Sequence, residues 1–310
     1  MKSPLTKSLC KQTPMKIKRF LPIAIGRPLK NNNYLHMKIL FKFRLVSFLV
    51  IILFITNCAT NPITGRKSME LIGNAQLFPM AFQQFNQYMS SAKIINNTPE
   101  AKKIEEIGNK LVIAANNWYK ELGQPDYLKD YKWEFKLVDD AQVNAWAMPG
   151  GKIVFYKGIM PILQDDAGIA CVMGHEIAHA ILDHGKERMN AAYKQQIGGQ
   201  LVGVALSGSS QQIQQITQQV YGIGSQFGIM LPYSRKHEFE ADETGIMLMA
   251  MAGYNPELAI PFWERMEKMS SGQAPPEYMS THPSYGNRIQ HIKNSLPKAK
   301  QKAAKYGYKF

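Results

Sequence analysis

The segment His175-Glu176-Ile177-Ala178-His179 sits inside a run that is apolar on nearly every side, with Ile169, Val172, Met173, Ile181 and Leu182 around it. A helix that is apolar all round has to be buried. Buried His and Glu side chains are costly unless partners satisfy them. Helical residues four apart share a face one turn apart, so His175 and His179 present two imidazoles to one point while Glu176 projects beside them. One metal ion satisfies the group. The fold must therefore bring a further donor opposite this turn from elsewhere in the chain.

Catalytic zinc takes three protein ligands and keeps a fourth position open. A third histidine in the pattern HExxHxxGxxH would need Gly at 182 and His at 185, where this chain has Leu182 and Gly185. Ser234-Arg235-Lys236-His237-Glu238-Phe239-Glu240-Ala241-Asp242 offers a carboxylate instead. Glu238 and Asp242 lie four apart on one helical face, so Glu238 is expected as the third ligand. Asp242 is expected to orient a zinc-bound imidazole through its free N–H. Glu240 lies about 200° around the helix from Glu238 and, with His237, reads as a solvated residue. His184 reads as a cation at a helix C-terminus that stops at Gly185, and Cys171 as a small core residue. Zinc, one ion per chain, is the expected cofactor, with Glu176 the general base that takes a proton from water.

Most of the remaining body carries helical patterns. One runs from about Ala75 to Met89, and a second is capped by Thr98, with Pro99 first in the helix and Ile104, Ile107, Leu111 and Val112 at helical spacing. Trp133, Phe135 and Leu137 alternate with polar residues as in a half-buried strand, and Lys152 to Tyr156 predicts another after the Pro149-Gly150-Gly151 turn. The motif helix opens at Asp165-Asp166. Gln-rich segments on either side of Ser207 to Ser210 predict a helical pair. Tyr233 to Met251, Pro256 to Met269 and a stretch from about Ser284 predict three more helices. The expected class is α+β, predominantly helical, with a small β-sheet.

The formal net charge of +14 invites a nucleic-acid reading, but residues 1–57 hold 11 of the 37 basic residues and none of the 23 acidic ones. Without them 26 basic residues face 23 acidic ones. Removing the five lysines of 298–310 leaves the body slightly acidic, so no nucleic-acid partner is expected. From Met37 a basic start precedes the apolar run Leu45 to Thr56, the layout of a secretory signal and short for a membrane span. Ile55-Thr56-Asn57-Cys58 resembles a bacterial lipobox, which implies acylation of Cys58 and membrane attachment through a lipid anchor. An uncleaved signal anchor is the alternative. Of the three cysteines only Cys171 then remains as a free thiol, which excludes a disulfide framework. The expected division is a leader over 1–57, a tether over 58–74, a catalytic domain over 75–297 and a Lys-rich tail over 298–310.

Four motifs together carry a family resemblance. They are His175 to His179, the Glu238/Asp242 block, Asn144-Ala145-Trp146-Ala147-Met148-Pro149-Gly150-Gly151, and Thr281-His282-Pro283-Ser284 through Arg288. They resemble the HtpX and CAAX-prenyl-endopeptidase family of zinc peptidases, metallopeptidase family forty-eight. Asn61-Pro62 to Gly65-Arg66 after Cys58 is similar to its bacterial envelope lipoprotein branch. The resemblance implies a gluzincin-type zincin domain with zinc between the HExxH helix and the glutamate helix. It also implies an edge strand at Asn144, Ala145, Trp146 and Ala147 that holds substrate peptide by strand addition. His282 and Arg288 are expected near the zinc as oxyanion donors, or His282 as a cap that blocks it. The expected protein is a metalloendopeptidase of misfolded or unassembled envelope proteins, lipid-anchored on an outer membrane facing the periplasm, with polypeptide substrates and envelope assembly machinery as partners. A non-catalytic or self-inhibited lipoprotein that binds outer-membrane clients is the alternative.

Overall fold

The computed structural model describes residues 58–199, 234–270, 276–282 and 286–310. The expected leader, the apolar run and the Gln-rich pair around Ser207 lie outside these residues. Two compact units are distinguished. In the first, β1 (Cys58–Thr60) pairs antiparallel with β2 (Lys67–Met69), Cys58 opposite Met69. The second unit takes Asn61–Arg66 and everything from Glu70 onward.

Two helices open the second unit. α1 spans Asn74–Ser91 and buries Leu77, Phe78, Ala81 and Phe85. α2 spans Pro99–Glu121 and starts as its sequence predicts, with the Thr98 side chain accepting from the Ala101 N–H at 3.2 Å. Between and after them comes a four-stranded sheet of β3 (Ile94–Ile95), β4 (Glu134–Val138), β5 (Ala145–Met148) and β6 (Lys152–Tyr156). The strand order is β3-β4-β6-β5, with β4 and β6 parallel and the other pairs antiparallel. β5 is therefore an edge strand. Its hairpin to β6 closes through Gly150 and Gly151 at φ +80° and +92°, a backbone region that glycine adopts without strain.

Among the described residues the remaining α-helices are α3 (Met160–Leu163), α4 (Asp166–Ile181), α5 (His184–Gly199), α6 (Arg235–Met251), α7 (Ala259–Ser270), α8 (Glu277–Thr281) and α9 (Arg288–Ala304). α4 is capped by the Asp165 carboxylate, which accepts from the Gly168 N–H at 2.8 Å, and every residue from Ala167 to Ile181 is buried. Gly185 does not end this helix. The chain turns instead at Asp183, with φ +63°, and α5 begins at the next residue. Asp tolerates the left-handed region, and its carboxylate accepts from the Tyr127 hydroxyl and pairs with Lys186, both at 3.1 Å. α9 begins at Arg288, after the expected Ser284, and runs through the first half of the Lys-rich tail. Lys302 there pairs with Glu121 at 2.7 Å over the Trp118 ring. Among the described residues no helix is long and apolar enough to cross a membrane.

α4 packs most extensively on α6, and the two backbones meet at a pair of glycines. A Cβ on Gly174 would lie 2.7 Å from the Gly245 carbonyl oxygen, and one on Gly245 would lie 2.8 Å from the His175 nitrogen. Glu238, Asp242 and Gly245 follow i, i+4, i+7 spacing and share one face. The close crossing thus turns both carboxylates toward the histidines. Gly245→Ala is expected to force the helices apart at a cost of about 1–3 kcal/mol, read as a lower denaturant midpoint with an unchanged slope. An unaltered midpoint would show that the crossing relaxes freely.

Candidate active site

α4 and α6 bring one side chain after another into a buried cluster. His175, Glu176 and His179 are 2%, 1% and 1% exposed, and Glu238 and His282 are equally sealed. The His175 and His179 Nε2 atoms lie 2.9 Å apart. Glu238 approaches both, with Oε2 3.5 Å from His175 Nε2 and Oε1 3.4 Å from His179 Nε2. One donor atom from each of His175, His179, Glu238 and His282 lies within 4.8 Å of the other three. Three nitrogens and a carboxylate converging at this spacing form a zinc-type donor set.

The charges around the cluster test whether a cation fits. Burial alone would push Glu238 up, but His282, Arg288 and hydrogen bonds from His175 and His179 hold it well below the carboxylate range. Burial likewise opposes ionisation of Asp242, and Arg288 and His175 overcome it. The two ionised carboxylates draw positive charge inward. Against burial, which would lower it, Asp242 and Glu238 push His175 up to about 9. His179, desolvated and next to His175, is pushed well down. A divalent cation between the imidazoles supplies the charge that these carboxylates demand, so the residues fit zinc.

Asp242 stands where the sequence places it. Its Oδ1 accepts from His175 Nδ1 at 2.9 Å, which leaves His175 Nε2 facing the cluster. Arg288 donates from Nε and Nη2 to the two Asp242 oxygens, each at 2.7 Å. Its Nη1 lies 3.1 Å from Glu238 Oε2 and donates to the His282 carbonyl at 3.3 Å. The guanidinium carbon lies over the Trp263 ring, 3.5 Å from its centroid. Arg288 thus ties α9 to both carboxylates of α6.

Glu176 is buried, and neither of its oxygens accepts a hydrogen bond among the described residues. Burial raises its pKa, against the pull of His282 and His175. His282 Nε2 lies 3.4 Å from Glu176 Oε1, while His282 Nδ1 lies 3.3 Å from both Glu238 Oε1 and His175 Nε2. The His282 ring stacks on Tyr278, with centroids 4.6 Å apart. Tyr278 is fully buried beside His282, and sequence reasoning missed it. Pro283 and Ser284, expected beside His282, lie outside the described residues.

Asn144, Ala145, Trp146 and Ala147 are buried at or beside the edge strand β5. Ala147, Met148 and Pro149 line a small cleft together with His179, Ala180, Asp183, Gly185 and Lys186. The side chains of Asn144, Ala145, Trp146 and Ala147 are covered. Cys58 opens β1, and Cys171 is the buried core thiol expected of it.

His184, read as a helix-terminal cation, and Glu240 and His237, read as solvated, are drawn into contacts, the latter two remaining partly exposed. His184 is fully buried, its Nδ1 2.9 Å from His179 Nδ1 and its Nε2 3.1 Å from Glu240 Oε2. It opens α5 instead of ending α4, so it is no helix C-terminal cation, and burial pushes its pKa down to about 4. Glu240 accepts from Arg66 Nε at 3.0 Å, and His237 Nε2 lies 3.1 Å from Glu187 Oε2. The sequence hides this because Arg66 arrives from a loop more than a hundred residues away.

The model of peptidase family M48 matches residues 100–296. Over 190 residues the chain is 36% identical to the mitochondrial metalloendopeptidase OMA1 of Schizosaccharomyces pombe, covering 56% of this chain and 50% of the relative. The human mitochondrial metalloendopeptidase OMA1 is 28% identical over 260 residues, covering 81% of this chain and 48% of its own. The β-barrel assembly-enhancing protease of Escherichia coli is 25% identical over 246 residues, covering 78% and 48%. The chain spans about half the length of the curated relatives it matches. These relatives widen the resemblance from the HtpX and CAAX prenyl endopeptidases to the larger family.

They also correct the expected location, an outer membrane facing the periplasm or an inner-membrane anchor, because the relatives at 36% identity are mitochondrial proteins. A basic, acid-free leader is common to secretory and organellar addresses, so its composition cannot separate them. The matched region, the helical zincin-type domain and the His-His-Glu-His cluster agree, and the chain belongs to peptidase family M48, a family of zinc metallopeptidases.

Proposed function

We propose that this chain is a zinc-dependent endopeptidase of misfolded or unassembled polypeptides, with zinc held by His175, His179 and Glu238. The convergence of these three donors beside the buried Glu176 carboxylate carries the reading. Zinc, when bound, acts as a Lewis acid that makes water a usable nucleophile at neutral pH. Glu176 takes the proton from water as it attacks the scissile carbonyl, then passes it to the leaving amine. Its raised pKa suits a group that must both accept and release that proton. Asp242 fixes the His175 ring, and Arg288 positions Asp242 and Glu238. β5 holds the substrate backbone by strand addition next to His179. The name of the Escherichia coli relative, a β-barrel assembly-enhancing protease, suggests proteins awaiting assembly as the client class, and envelope proteins are the clients proposed from the sequence.

One observation favours a second reading, in which the enzyme rests in a self-blocked state. His282 Nδ1 sits among the three donors, where a fourth ligand would stand. Attachment to a membrane through acylated Cys58 is a separate part of the proposal, supported by the apolar run that ends just before it.

Glu176→Gln is expected to lower peptide cleavage by about 10²–10⁴-fold while the protein still retains one zinc by metal analysis. Cleavage at the wild-type rate would overturn the assignment of the base. His282→Ala is expected to raise cleavage if His282 caps the site, whereas a loss with zinc retained would assign it as an oxyanion donor. Mass spectrometry of the mature protein is expected to show an acylated N-terminal Cys58, and an unmodified Cys58 would remove the anchor.

A further inference from the structure

Zinc-binding histidines are oriented through the ring nitrogen that does not touch the metal. Asp242 does this for His175. The corresponding nitrogen of His179, Nδ1, meets another imidazole instead, His184 Nδ1 at 2.9 Å. Two imidazole nitrogens at this distance share one proton, and the rest of the chain decides which ring owns it.

The far side of His184 settles the question. Its Nε2 lies 3.1 Å from Glu240 Oε2, and an ionised carboxylate only accepts, so the His184 proton sits on Nε2. His184 Nδ1 is then the acceptor and His179 Nδ1 the donor, which leaves the lone pair of His179 Nε2 facing His175 and Glu238. In the other tautomer a proton would stand where the metal binds. Glu240 is itself fixed, since Arg66 Nε donates to both its oxygens at 3.1 and 3.0 Å. Arg66 also pairs with Glu187, which accepts from His237 Nε2 at 3.1 Å, and the His237 ring stacks on His184 with centroids 4.4 Å apart.

The 61–66 loop that carries Arg66 is built to stay in place. Asn61 Nδ2 donates to the Ile181 carbonyl at the end of α4, at 3.0 Å. Asn61 Oδ1 accepts from the Ile63 N–H at 3.0 Å, and its carbonyl accepts from the Gly65 N–H at 2.8 Å.

We propose that His184 is a positioning residue for the metal site: a relay from Arg66 through Glu240 and His184 locks His179 as the Nδ1–H tautomer, with Nε2 free for zinc. This deepens the zinc-peptidase reading and gives the Asn61–Arg66 stretch a role that the catalytic residues alone do not explain.

The test uses the full chain. With ¹⁵N-labelled histidine, long-range ¹H–¹⁵N spectra of the metal-free protein are expected to show His179 protonated at Nδ1, and His184→Leu to shift it toward Nε2–H. Zinc affinity by chelator competition is expected to fall about 10–100-fold in His184→Leu. His184→Asn, whose amide oxygen can accept at the same place, should recover most of that loss. Should His184→Leu fail to fold, Glu240→Gln, at a partly exposed position, is expected to show the same tautomer shift and a smaller loss of affinity. An Nε2–H tautomer in the wild type, or a folded His184→Leu protein with wild-type zinc affinity, would overturn the relay. Failure of the wild type to bind zinc would instead sink the peptidase reading, because the tautomer is read without metal.

Discussion

The contact between the backbones of Gly174 and Gly245 is the constraint from which the site follows. Helix axes usually sit 8–10 Å apart, a distance set by the side chains between them. With none at this point, α6 comes close enough for a glutamate and an aspartate to reach imidazoles of α4 directly. Longer reach would need flexible side chains, and flexible side chains hold a metal loosely. Two residues without side chains therefore determine the spacing of four residues with them.

Bringing charges into that crossing has a cost that the fold meets by closing a network. Asp242 and Glu238 are ionised and out of water, and each is answered by Arg288 on α9 and by histidine on α4. Trp263 covers the guanidinium and Tyr278 covers His282, so water is kept from the pairs that it would screen. Buried ion pairs contribute little net stability but cost several kcal/mol when one partner is removed. Their value here is geometric: each carboxylate has one place to be.

The motif helix, Glu238, Asp242 and the capped starts of α2 and α4 were legible because each depends on residues within one or two helical turns. The zinc requirement was legible for the same reason, since His175, Glu176 and His179 need a partner whatever the tertiary fold. His184 was not. Gly185 after an apolar run reads as a helix stop, yet the break falls at Asp183, whose left-handed backbone is held by Tyr127 and Lys186 from outside the local sequence. Glu240 and His237 look solvated by helical phase alone, and partners such as Arg66 and Glu187 leave them only partly so. β5 has no alternating pattern because all four of its residues are buried. Local periodicity shows which face is apolar; it does not show what a distant loop lays across the polar one.

The pieces that complete the site come from far apart in the chain. Arg66 and Asn61 precede the first helix, His175 and His179 sit in the middle, and His282 and Arg288 close the sequence of donors. No subset of neighbouring elements contains the whole cluster, so the cluster forms only when the unit has closed around it. Metal binding to such a site adds to the stability of the closed form alone. His282 differs from the others in its support. It follows α8, a helix of five residues whose Tyr278 N–H is bonded to the Val143 carbonyl just ahead of the edge strand. A backbone shift of α8 that carries His282 away from the other donors must carry or break that bond, so the placement of His282 is linked through the backbone to the start of β5.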